Sequence, residues 1–125
     1  MAENDKITAP EGPRVRYSDE ELEEFRAIIN DMLSKARKEY DTLRRVKTVE
    51  DDGAFQLTKE EAGQLAQRQY KFIQNLEAAL VRIENKTYGV CRVTGELIPK
   101  ERLRLVPHAT LTVKAKEMLA SKGKN

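Results

Sequence analysis

Two stretches of this chain carry residues at alternating spacings of three and four: Leu22, Phe25, Ile29, Met32, Ala36, Tyr40 and Leu43, then Ala62, Leu65, Gln69, Phe72, Leu76, Ala79 and Ile83. On an α-helix this spacing draws a narrow seam, not a broad apolar face. A seam held for about three heptads in both stretches predicts two helices packed on each other as an antiparallel coiled-coil hairpin. Each arm covers about 28 residues, so at 1.5 Å per residue the hairpin is a rod of about 40 Å. The fold class expected is mainly α.

The limits of the arms are written in cap chemistry. Ser18 followed by Glu21, and Thr58 followed by Glu61, are capping boxes in which each side chain serves the other's backbone N–H. Asp19, Glu20 and Glu21 add negative charge where the dipole of the first helix favours it. Val46, Thr48, Val49 and Gly53 weaken the helical pattern after Arg45. The expected organisation is a flexible lead over 1–17, a hairpin over 18–86 whose tip lies at about 47–57, and a compact module with a terminal helix over 87–125. Arg14 to Tyr17 could dock as an extended piece on the base or on a partner. In the module, Leu97, Ile98, Leu103, Leu105, Val106 and Leu111 supply a small core, and Leu111, Ala115, Met118 and Leu119 set a helical period that ends at Gly123. Gly63 interrupts the second arm, which close approach of the first arm would explain. Gln69 occupies a seam position, where a polar residue can fix register.

Charge sharpens this picture. The net charge is only +2, too small for a protein whose main task is to neutralise phosphates. Its distribution is uneven: Glu50, Asp51 and Asp52 crowd the connector against Lys47, while residues 87–125 hold eight basic and three acidic residues. The rod is negative at its tip and positive at its base. No apolar run approaches the roughly 20 residues that cross a bilayer, and no signal peptide is evident at the N-terminus. A lone cysteine, Cys91, excludes an internal disulfide framework and agrees with a reducing, cytoplasmic setting. There is one histidine, His108, and no Gly-rich phosphate loop, Ser/His/Asp set or metal-binding His pair, so an enzyme is not expected.

The segment from Tyr88-Gly89-Val90-Cys91 through Gly95-Glu96, Ile98-Pro99 and Arg102-Leu103 to Pro107, placed after a helical hairpin, resembles the DksA/TraR family of bacterial RNA polymerase regulators. The likeness covers about residues 19 to 120 and is most specific between Tyr88 and Pro107. In that family a coiled coil precedes a zinc finger of the pattern C-x2-C-x17-C-x2-C. Here Cys91 falls on the first ligand position, and Thr94, Thr112 and Ala115 fall on the other three. Structural zinc needs four thiolate or imidazole donors, so this degenerate finger is not expected to hold the metal and Cys91 is a vestigial ligand.

The resemblance implies a regulator that binds RNA polymerase directly, without sequence-specific DNA binding, and passes its coiled coil through the secondary channel toward the active centre. Aligned without gaps from Cys91, the family's second tip aspartate falls on Asp51, with Asp52 and Glu50 beside it, and Arg68 matches a family arginine that contacts polymerase. The family's role in the stringent response includes guanosine tetraphosphate at positions that correspond to Asn75, Val106 and Lys116. Only Lys116 keeps a positive charge suited to a polyphosphate, so alarmone binding does not carry over as a set. Two other readings stay open: a transcript-cleavage factor whose tip carboxylates hold a second magnesium, and a structural or ribosome-associated coiled-coil adaptor. A monomer is expected.

Overall fold

The computed structural model describes residues 15–45 and 57–123. Two long helices, α1 (Asp19–Arg44) and α2 (Lys59–Glu84), form the hairpin, followed by a short α3 (Lys100–Leu105) and a terminal α4 (Val113–Gly123). At 26 residues each, α1 and α2 run for about 40 Å. Both capping boxes form, with the Ser18 and Thr58 hydroxyls accepting from the Glu21 and Glu61 N–H groups while those carboxylates accept from the Ser18 and Thr58 N–H groups. The arms are antiparallel: Arg26 reaches Glu84 and Arg37 reaches Glu77, each at 2.8 Å.

Packing follows the expected period with a one-residue shift at three points. Leu33 is buried in place of Met32, Ala66 in place of Leu65, and Ile73 in place of Phe72, whereas Leu65 is exposed. A coiled-coil seam of period 3.5 leaves two adjacent positions to compete at each turn. At Ala66 the smaller of the two side chains is the buried one. Gln69 does lie in the seam, its Oε1 buried with no protein partner among the described residues.

The base is where the core is deepest. α2 ends in a Schellman motif, with Thr87 N–H bonded to the Arg82 carbonyl at 2.9 Å and Lys86 N–H to that of Ile83 at 3.1 Å. Lys86 takes the left-handed conformation usually given to glycine (φ 66°), and its ammonium reaches back to Asp19 at 3.0 Å. The chain then turns into the module through Tyr88, which is fully buried against Phe25 with ring centroids 5.3 Å apart. Tyr17, at the end of the lead, is also buried there; it meets Phe25 edge-on at 5.8 Å, and its hydroxyl donates to the Ile98 carbonyl.

Ile98 and Leu103 form the module's buried centre, with Leu97, Val106 and Leu111 partly buried around them. Leu105, expected in this core, is instead 82% exposed, because α3 is too short to bury more than one face. On α4 only Ala115 is buried; Met118 and Leu119 project beyond the module.

Two glycines have opposite roles. Gly89 has φ +80°, and a Cβ there would lie 2.7 Å from the Tyr17 ring. Gly63 is helical, and a Cβ there would meet nothing within 4 Å, so close approach of the other arm does not explain it. Gly63→Ala is therefore expected to raise stability by about 1 kcal/mol, the usual helix preference for alanine. Gly89→Ala should lower it by about 1–3 kcal/mol through backbone strain and displacement of Tyr17. Urea unfolding followed by circular dichroism checks both signs.

Candidate functional site

In the degenerate finger, the four positions aligned with zinc ligands, two on each of two knuckles, serve four different purposes. Cys91 is buried, its N–H donating to the Glu96 carbonyl at 2.8 Å and its carbonyl accepting from Gly95 N–H at 2.9 Å. Its Sγ accepts the Thr112 N–H at 3.5 Å. Thr94 uses its hydroxyl to accept from Glu96 N–H at 3.2 Å. Thr112 opens α4, its Oγ1 accepting from Ala115 N–H at 3.0 Å as an N-cap does. Ala115 is a fully buried methyl group.

Burial pushes the Cys91 thiol up, but the hydrogen bonds from the Thr94 hydroxyl and from the backbone of Thr94, Thr112 and Val93 together outweigh it and lower the thiol to about 6. The knuckle thus keeps the polarity that suits a sulfur anion. It does not keep a metal site: one thiol, two hydroxyls and a methyl group do not make a tetrahedral zinc set. Among the described residues no cluster of three or more His, Cys, Asp or Glu could hold a metal ion.

What closes the module is apolar packing and backbone pairing. The Val90 and Leu97 bridge, Ile98 N–H to the Gly89 carbonyl at 2.7 Å, and Arg92 N–H to the Thr110 carbonyl at 3.0 Å fold the segment on itself. Tyr88 donates to the Pro107 carbonyl at 2.8 Å, and burial holds its hydroxyl well above the usual phenol range. His108 packs edge-on against Phe72 of α2 at 5.4 Å, and its carbonyl accepts from Arg82 at 3.4 Å. Its Nδ1 is buried without a protein partner among the described residues. Burial, aided by the Arg82 charge, lowers the imidazole below its ordinary value.

The other sequence-derived positions are spread along the rod. Glu50, Asp51 and Asp52 lie outside the described residues. Arg68 is exposed on α2, and Lys116 is exposed on α4. Asn75 and Val106 are each partly buried. The expected positive base is present, with Lys114, Lys116 and Lys122 exposed on α4.

One feature of the rod has no counterpart in the sequence reading. Toward the distal end a cleft of about 520 Å³ opens between the arms, lined by Tyr40, Leu43 and Arg44 of α1 and by residues of α2 from Lys59 to Tyr70. The Tyr40 and Tyr70 rings lie 5.8 Å apart at a tilt of 38°, and the Arg44 guanidinium sits 5.7 Å over Tyr40. Tyr70 is half exposed, and Gly63 leaves its part of the wall bare. Gly63, read from sequence as a point of close approach between the arms, instead lines this cleft.

Residues 86–117 match the prokaryotic dksA/traR C4-type zinc finger family. The RNA polymerase-binding transcription factor DksA of Caulobacter vibrioides is 33% identical over 101 residues, which is 81% of this chain and 66% of that protein. The chain belongs to the DksA/TraR family. It spans just under two thirds of the length of that relative. Among solved structures, transcription factor DksA2 from Pseudomonas aeruginosa aligns over 98% of this chain and 99% of its own, with 25% identity and a TM-score of 0.68. The RNA polymerase binding protein and transcriptional regulator Dks from Chlamydia trachomatis aligns over 87% of this chain and 98% of its own, at 29% identity and a TM-score of 0.51. The family match covers the finger despite the loss of three thiolate positions.

Two outcomes follow from the knuckle. Treatment with a strong chelator is expected to leave the melting temperature unchanged, and metal analysis of the purified protein to find far less than one zinc per chain. The His108 imidazole binds its proton less readily in the folded protein than in the unfolded chain, for which the ordinary value is 6.5. Stability should therefore be full above about pH 6.5 and fall as the pH drops below it, toward the lowered folded value. His108→Leu should lose less stability than wild type between about pH 7 and pH 5 in paired urea titrations.

Proposed function

We propose that this chain is a non-enzymatic transcription regulator that binds RNA polymerase directly and carries its hairpin into the secondary channel, with the acidic tip toward the active centre. The observation that carries the proposal is the likeness to an RNA polymerase-binding transcription factor over 101 residues, joined to a long two-helix hairpin set on a finger-like base. A rod of about 40 Å can deliver its end to a recessed site that a globular domain of equal mass would not reach. In this reading Asp51, with Glu50 and Asp52 beside it, acts at the tip on basic groups and magnesium-bound phosphates near the active centre. Arg68 contacts polymerase along the channel wall, and Lys116 offers a single positive contact at the base.

The zinc-free module has a defined part in this scheme. It holds the base of the hairpin in a fixed orientation through Tyr17, Phe25 and Tyr88 without depending on metal supply. Members of the family with a complete ligand set depend on zinc for the same geometry. Regulation by this chain should then be insensitive to zinc limitation.

The test separates docking from action. Purified core polymerase should retain the wild-type protein at micromolar concentrations, and the bound protein should change open-complex lifetimes at a ribosomal promoter several-fold. Asp51→Asn and Asp52→Asn should bind as wild type does and leave those lifetimes unchanged. Arg68→Ala should weaken binding roughly tenfold, the loss of one charge-assisted contact. Absence of binding at micromolar concentrations would discard the polymerase reading in favour of a structural adaptor.

A further inference from the structure

The distal cleft unites features that neither packing nor the polymerase reading requires. Gly63 costs helix stability, yet space alone would admit a side chain there. Tyr70 is an aromatic residue held half exposed on a helix otherwise rich in charged and amide side chains. Arg44 and Lys59 make no ion pair with any described residue, although the neighbouring Arg45 is paired with Asp41 at 2.7 Å. No carboxylate lines the cleft among the described residues. The walls thus offer π-faces at the centre, two cations without an ion pair among the described residues, and the Gln67 amide as a hydrogen-bonding group.

We propose that this cleft binds a nucleotide, with the base laid against the Tyr40 and Tyr70 rings and the phosphates held by Arg44 and Lys59. The volume of about 520 Å³ is of the size that accommodates a small ligand. An aromatic base supplies a π-face for tyrosine whatever its sequence identity. The phosphates supply a negative charge that no described residue of the cleft offers the two cations, and a guanidinium already set over Tyr40 is held where it can donate to a phosphate with little loss of freedom. The bare helix wall at Gly63 gives the ligand room to enter between the arms. A purely apolar ligand would leave both cations unused, and an inorganic anion would leave both rings unused.

The same chemistry is offered by a free nucleoside triphosphate and by the end of an RNA strand. Calorimetric titration of the full-length chain, without polymerase, with ATP, with GTP and with a short oligoribonucleotide distinguishes the two sources. Binding of either class in the micromolar to millimolar range supports the site, and the tighter class identifies the source. Tyr70→Ala should weaken binding roughly tenfold, and Arg44→Ala and Lys59→Ala should each do so by a similar factor at low salt. Gly63→Leu should abolish binding by filling the mouth of the cleft, while its melting temperature stays at or above that of wild type. Because that substitution favours the helix, loss of binding cannot be ascribed to unfolding.

The proposal is overturned if neither class binds up to millimolar concentration, or if Gly63→Leu binds as wild type does. It is also overturned if pyrophosphate competes as well as ATP, since the site would then recognise only the anion. All measurements are made on the isolated chain, so they stand whether or not the protein binds polymerase.

Discussion

The contact on which the base depends is the aromatic clasp of Tyr17, Phe25 and Tyr88. Three parts of the chain meet in it: the residue before α1, the first arm, and the turn that leaves the second arm. Each ring brings a large apolar area, and each phenol has a carbonyl partner, Ile98 for Tyr17 and Pro107 for Tyr88. A buried tyrosine without such a partner would forfeit about 1–3 kcal/mol in desolvation. With it, the ring packs like phenylalanine while the hydroxyl fixes the module's loops. Gly89 belongs to the same unit, because only a residue without a Cβ lets the Tyr17 ring lie against the backbone where the module begins.

This clasp explains how a zinc-finger segment can replace three of its four thiolate positions and stay folded. Zinc crosslinks two knuckles that would otherwise have too little core to stay together. Here Thr112 caps α4, Ala115 packs as core, Thr94 closes a turn, and Cys91 accepts the Thr112 N–H from the opposite knuckle. The four positions still converge, but each is held by contacts that do not need a cation. The hydrogen bonds that favour the thiolate at Cys91 are those a metal-bound sulfur would also receive. The knuckle has therefore retained its backbone polarity while its side chains changed role.

Much of this architecture was legible from sequence because it rests on local rules. The capping boxes at Ser18 and Thr58 fixed both helix starts, and the three-and-four spacing gave the pairing of the arms. The resemblance from Tyr88 to Pro107 placed the finger. What was not legible depended on tertiary competition. Whether Leu65 or Ala66 faces the seam turns on how the two arms sit against each other, which the spacing along one arm does not fix. Leu105 read as core and Met118 as part of a helical period, but among the described residues α3 and α4 bury only Leu103 and Ala115. Tyr17 gave no periodic signal at all, since its partners lie 8 and 81 residues away. The cleft was hidden for the same reason: Tyr40 and Tyr70 meet only once the arms are in register.

The distribution of core along the rod bears on where function can reside. The basal cluster runs without interruption from Tyr17 to Ala36 and from Ile73 through the module, whereas the distal cluster has only Leu43, Ala62 and Ala66 fully buried. Two of those three are alanines, which contribute little apolar area. Tyr40 is the residue that packs partly against both clusters. Regions of low buried area open most readily, and sites that must admit a ligand or adapt to a partner are drawn from them. A rod thickly packed at its base and thinly packed at its far end can keep a fixed orientation at the one while the other adapts. Among the described residues Arg44 and Lys59 of that far end have no ion-pair partner, and along the sequence they flank a connector that holds Glu50, Asp51 and Asp52. Opposite charges thus alternate along the sequence here, with cations on the helical stems and acids in the connector between them.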